Sequence, residues 1–249
     1  MNTLNLLEEI LNRCTENFGA LRFSKKDPRH FYLVSLYCRI LELTSSCIIL
    51  MKSNVMSGVP ILVRTVLESV TDVKNLSNDG NYVKFMQASY LKEWLRIFKE
   101  AKDTDNPYLG KISAAQNLTQ VYAEHETEWR KLVQEKYTPL SQSDRFDMAG
   151  MANEFRSIYN FLCSHSHSNL RSLYDRNVDI SGDDYFVVCF KDPQTHDIEL
   201  YATTLCDILV ASSLAVYNLL GSDLISQVES IQVEWEEFKK SKQVSDETH

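Results

Sequence analysis

An all-α fold, a multi-helix bundle with one short strand or hairpin near 185–190, is the class this sequence predicts. Three observations carry it. Apolar residues recur at helical spacing along most of the chain. Only 7 Gly and 5 Pro punctuate 249 residues, too few for the turns of a many-stranded sandwich. One run, Tyr185-Phe186-Val187-Val188-Cys189-Phe190, has the composition of a strand. With 44% apolar residues the chain can bury a core. A single predominantly helical domain over 1–249 is expected, with an N-terminal helix and link over 1–25, a main bundle over 26–221, and a C-terminal helix and charged tail over 222–249.

The first helix is expected over 2–17, with Leu4, Leu7, Ile10, Leu11 and Cys14 on its apolar side. Asp27-Pro28 marks the second start: the carboxylate caps free N–H groups, and proline is tolerated where its missing N–H is not needed. Leu33, Tyr37, Ile40, Leu41, Cys47, Ile48 and Met51 continue it as a central helix. Gly58 and Pro60 open a third over 61–76. Val63, Val66, Leu67, Val70 and Val73 form its apolar side, and Arg64, Glu68 and Asp72 line another. Asn78-Asp79-Gly80 is a turn. A fourth helix covers 82–102, Asp105-Asn106-Pro107 breaks it, and a more charged, interrupted fifth spans 109–137. A sixth runs from Asp144 into the polar cluster at 164–169, with Met151, Phe155, Ile158, Tyr159 and Leu162 at core spacing. Helix resumes over 197–220, where Ala211-Ser212-Ser213 leaves room for a close neighbour, and a last helix covers 223–240.

Several function classes lose support. No stretch approaches 18 uninterrupted apolar residues, so no membrane span is expected, and the first residues lack the basic head of a secretion signal. The cysteines Cys14, Cys38, Cys47, Cys163, Cys189 and Cys206 are widely spaced with no Cys-x-x-Cys pair. Reduced thiols in a cytoplasmic protein are expected, without a zinc knuckle. A formal charge of -8 provides no general attraction to nucleic acid. Glycine-rich phosphate loops and the Gly-x-Ser-x-Gly elbow are missing from the sequence. Neither a cofactor nor a metal is expected.

Chemistry concentrates in Ser164-His165-Ser166-His167-Ser168-Asn169, which holds two of the six histidines and three hydroxyls. Its expected companion is Arg64 with Glu68, four apart and therefore on one helix face. Two readings stay open. In the catalytic one, His167 is the general acid or base and His165 assists, because imidazole titrates near neutrality. Arg64 stabilises anionic charge and Glu68 orients it, while Arg171, Ser164 and Asn169 contact substrate. In the structural one, the same groups form a satisfied polar network and Arg64–Glu68 is an ordinary ion pair. His165 and His167 lie about 200° apart on a continuous helix, so sharing a site requires the helix to end there. His125, in Glu124-His125-Glu126, reads as part of a solvated face.

The chain resembles the bacterial family DUF5677 through Val63-Arg64-Thr65-Val66-Leu67-Glu68 and Tyr159-Asn160-Phe161-Leu162-Cys163-Ser164-His165-Ser166-His167, over roughly residues 30–220. More distantly it resembles the helical HEPN group, many of whose members are metal-independent ribonucleases of toxin or defence systems, with sites often made across a dimer. HEPN ribonucleases typically place four to six residues between Arg and His, whereas Arg156 and His165 enclose eight, so any equivalence is spatial. The resemblance implies an RNA substrate, a homodimer and phosphodiester cleavage. A non-catalytic helical module binding a protein partner is the alternative.

Overall fold

Asp27 and Pro28 act as their sequence predicts: the Asp27 carboxylate accepts the Arg29 N–H at 2.9 Å at the start of α2 (Pro28–Lys52). The same logic starts α1 (Thr3–Phe18), where the Asn2 side chain accepts from Asn5 N–H. The computed structural model describes residues 2–103, 105–166, 169–182 and 184–246. It is a mostly helical bundle with a two-stranded antiparallel hairpin. By contacts the chain falls into two compact units, Met1–Asn78 with Phe146–His249, and Asp79–Arg145.

In the first unit, α2 packs along α3 (Val59–Asn78), and α11 (Thr195–Leu219) lies against α1, α2 and α3. Leu33, Tyr37 and Ile40 of α2, Val63, Val66 and Val73 of α3, and Leu205, Leu209 and Val216 of α11 are fully buried. The small patch on α11 has the predicted use. Ser213 Oγ lies 2.8 Å from the Tyr37 hydroxyl and 3.4 Å from Cys14 Sγ, so α1 and α2 both come close there. Burial raises the pKa of both the Tyr37 phenol and the Cys14 thiol, so this core network is neutral. α12 (Ile225–Asp246) packs on α11. Glu199 accepts hydrogen bonds from Thr3 and Lys242, which ties α1, α11 and α12 together. α2 and α11 both have the length and mean hydropathy of a membrane span. Here the apolar sides of both are part of the core.

The second unit pairs α4 (Tyr82–Asp103) with α6 (Leu118–Gln134) around Ala88, Leu91 and Leu132, with the one-turn α5 (Gly110–Ser113) before α6. The interruption of the fifth predicted helix is thereby realised. His125 departs from its predicted solvated face: it is half-buried against Tyr90 and Phe98, and its Nδ1 lies 2.9 Å from the Val121 carbonyl.

The sixth helix is not continuous. α7 (Gln142–Met148) is closed by Gly150, whose φ of 68° favours a residue without Cβ. Met151 N–H closes the end on the Phe146 carbonyl at 2.8 Å. A short turn, α8 (Ala152–Glu154), leads into a π-helical turn, Phe155–Tyr159, and then α9 (Asn160–Ser166). The break stacks Phe146, Phe155 and Tyr159 at 4.8–5.3 Å. After α10 (Leu170–Asn177), β1 (Val178–Ser181) pairs with β2 (Asp184–Val187). The predicted strand is therefore shorter than 185–190 and is the second half of a hairpin whose first half carried no strong strand pattern.

Candidate functional site

α9 divides the predicted site residues between two sides. On one, it packs against α3, and the π turn that leads into it presents Tyr159 to Arg64 and Glu68. The Tyr159 hydroxyl donates to Glu68 Oε1 at 2.9 Å and accepts from Arg64 Nη2 at 3.2 Å. Arg64 Nε stands 3.2 Å from the same carboxylate oxygen, an ion pair by distance but not aligned as a hydrogen bond. The guanidinium also lies 5.3 Å from the centre of the Tyr159 ring. Burial and the Glu68 charge, opposed by Arg64, push the phenol up to about 12, so it stays a donor at neutral pH. The π turn sets this geometry, since the extra residue it inserts rotates Tyr159 relative to the start of the segment. Tyr159 bridges the ion pair: its hydroxyl bonds to both Arg64 and Glu68, while Arg64 Nε keeps no hydrogen-bond partner among the described residues. Tyr159→Phe removes both hydroxyl bonds and keeps the ring. We expect it to cost about 1–2 kcal/mol in urea unfolding.

His165 lies two positions, roughly 200°, round α9 from Cys163. Among the described residues nothing joins His165 to Arg64 or Glu68. Instead His165 lines a cleft of about 840 Å³, formed by α9, α10, the base of the hairpin and the first turns of α11. Its ring meets Phe161 edge-on at 5.0 Å. Both ring nitrogens are shut off from bulk water and lack a hydrogen-bond partner among the described residues, as does Arg176 Nε in the same cleft. Such unsatisfied groups cost about 1–3 kcal/mol each, and a ligand that supplies partners recovers that energy. Burial first, and the Arg176 charge second, hold the His165 pKa below the ordinary histidine value. The imidazole is therefore neutral at pH 7, the form a general base requires.

The cleft is mixed in charge. Arg171, Arg176 and Lys191 face Asp175, Asp179, Asp192 and Asp197, a set that suits one anionic group held beside hydroxyls or amines rather than a long polyanion. Arg171 lies over the Phe161 ring at 5.5 Å and 3.8 Å from Asp175.

The other predicted contacts have structural duties. Asn169 caps α10, its side chain accepting the Arg171 N–H at 2.9 Å. Ser164 Oγ donates to the Phe161 carbonyl at 2.7 Å. His167 and Ser168 lie outside the described residues. Sequence reasoning missed Arg176, Asp197 and Tyr201. Arg176 follows Arg171 by five residues on the helix after the histidine cluster, a basic repeat that pointed there. Asp197 and Tyr201 come from α11, and their spacing carries no sign of the cleft. Among the described residues, no three His, Cys, Asp or Glu side chains converge as metal ligands.

Residues 30–186 match the model of a family of unknown function, DUF5677. No curated protein and no solved structure matches the chain.

Proposed function

Since the chain belongs to the DUF5677 family through residues 30–186, a helical group with the distant HEPN likeness noted above, we propose that its cleft cleaves RNA without a metal, with His165 as general base. One observation carries the reading: His165 and Arg176 share a cleft, and each holds buried nitrogen without a partner among the described residues. The neutral imidazole removes the proton from a ribose 2′-hydroxyl once its ring turns a nitrogen out of the buried position it holds without substrate. The freed oxygen attacks phosphorus, the bond to the 5′-oxygen breaks, and that oxygen leaves with a proton from solvent. The products are a 2′,3′-cyclic phosphate and a 5′-hydroxyl. Arg176 and Arg171 supply donors to the phosphate oxygens as negative charge builds. Arg64, Glu68 and Tyr159 do not touch substrate in this scheme; they hold α9, and thus His165, in place.

The test is cleavage of single-stranded RNA by the purified protein in a metal chelator, with the product ends identified. Cyclic-phosphate ends are expected, and a 2′-deoxy substitution at the scissile nucleotide should abolish cleavage. Intact RNA, or cleavage indifferent to the 2′-hydroxyl, would overturn the reading. The charge balance adds a second expected result. With a formal charge of -8 and two arginines at the phosphate, log affinity should fall against log salt with a slope of only about 1–2. A slope several-fold steeper in filter binding would mean an extended basic track that the cleft does not contain.

The non-catalytic reading also has a specific observation behind it. The segment 170–190 exposes Leu170, Tyr174, Ile180, Tyr185, Val187 and Phe190, the apolar surface of an interaction module.

A further inference from the structure

The β2 edge of the hairpin is open, and its register is self-complementary. Val188 N–H bonds to the Asn177 carbonyl at 2.8 Å, so Asn177 and Val188 form a hydrogen-bonded pair. Such pairs alternate along an antiparallel ladder. Asp179↔Phe186 and Ser181↔Asp184 are therefore the next bonded pairs, whereas the backbone groups of Tyr185 and Val187 point away from β1. On the outer side of β1 the Val178 carbonyl accepts from Lys191 Nζ at 2.6 Å. Among the described residues nothing reaches the outward groups of Tyr185 or Val187.

The side chains at this edge are apolar and solvated. Tyr185 is 73% exposed, Val187 77% and, on the same face of β1, Ile180 71%. Phe190, 93% exposed, and Tyr174 of α10 are also solvated and, like Ile180, line the cleft. An aromatic side chain offers about 150–250 Å², so Tyr185 and Phe186 with Val187 and Ile180 present several hundred Å², towards the lower end of the roughly 800 Å² per partner of a stable interface. An exposed apolar edge strand is a template for pairing unless something covers it.

We propose that a second copy of this chain covers it, with the two β2 strands pairing antiparallel about a twofold axis at Phe186. That register sets Tyr185 opposite Val187 of the second copy, and Val187 opposite its Tyr185. All the outward N–H and C=O groups of both residues then bond. An aromatic residue faces a β-branched one twice, a favourable cross-strand pair. The contact is isologous, as a closed dimer requires, and joins two hairpins into a four-stranded sheet. Val178 and Ile180 line the cleft, so pairing steadies a wall of each cleft. The inference stands on strand register and exposure and does not depend on what the cleft does.

The test is sedimentation of the full chain, wild type against Val187→Pro. The Val187 N–H faces outward, so proline there deletes a bond to the second copy and spares the β1–β2 ladder. Wild type should sediment as a dimer, and Val187→Pro at half that mass with an unchanged far-UV spectrum. An independent readout is Phe186→Cys in a Cys189→Ser background, because Cys189 is exposed. Residues facing across the axis in a non-bonded pair stand about 4.5 Å apart at Cα, within disulfide reach. Oxidation should link two chains through position 186 alone. A monomer at every soluble concentration would overturn the proposal and leave the arm to a different partner. So would a dimer that survives Val187→Pro and gives no disulfide.

Discussion

His165→Ala is expected to lower RNA cleavage by about 10²–10⁴-fold, the range for loss of a general base, while leaving the melting temperature nearly unchanged. The second half follows from the first observation about the residue. Its ring nitrogens hold no partner among the described residues, so truncation breaks no described hydrogen bond and removes chiefly the edge contact with Phe161. An activity loss accompanied by unfolding would instead mark His165 as a packing residue. The pH profile is a sharper readout. Burial and Arg176 hold the His165 pKa below about 6.5, the value of a free imidazole. Activity should therefore be level through neutrality and fall only as pH drops through that lowered value. Arg176→Gln removes the second cause and leaves the first, so the inflection should move up part of the way and the rate should fall as well. The stability linkage has a definite sign. A histidine with a lowered folded pKa leaves the unfolded state binding more protons, so stability rises with pH across that window. It is fully present above the unfolded value near 6.5 and is lost as pH falls through the folded one. Urea unfolding of wild type should show this slope, and His165→Ala should reduce it.

Trp235→Ala should produce the largest stability loss, about 3–5 kcal/mol, measured by urea unfolding followed in the far ultraviolet. Trp235 is 1% exposed on α12, donates from Nε1 to Asp207 of α11 at 2.7 Å, and lies under Lys239, whose ammonium is 5.2 Å from the ring. Alanine removes the largest side chain holding α12 to α11 and opens a void that neighbouring Val228 and Ile231, themselves buried, cannot fill. Trp235→Phe keeps most of the packing and loses the hydrogen bond. Asp207 still has Lys239 at 3.2 Å and half of its surface in water, so that variant should cost only about 1 kcal/mol. Equal losses in the two variants would show that the hydrogen bond, not the burial, anchors the helix.

Family and fold class were legible because both rest on local pattern. Asp27-Pro28, the valine side of α3 and the small patch on α11 each specify a cap, a buried face or a close approach through side chains a few residues apart. Their outcomes in the structure are the cap on Arg29, the buried Val63–Val73 stripe and the Tyr37–Ser213–Cys14 contact. The sixth helix shows where local pattern fails. Apolar spacing continues through Ala149-Gly150, but a single glycine with positive φ ends one helix and re-aims the next.

The candidate site divides in two for the same reason. Arg64 with Glu68, and the histidine cluster, stand out by residue type, yet residue type does not say which of two opposite faces of α9 meets which neighbour. Packing decides that: α9 lies on α3 with Tyr159 of the preceding turn against Arg64, and its Phe161 side sets His165 in the cleft with Arg176 and Tyr201. What the sequence by itself determined about this protein is its helices, their buried faces and its family. Only the tertiary structure separated the arginine from the histidine, because helix faces are local but the partners they meet come from residues far along the chain.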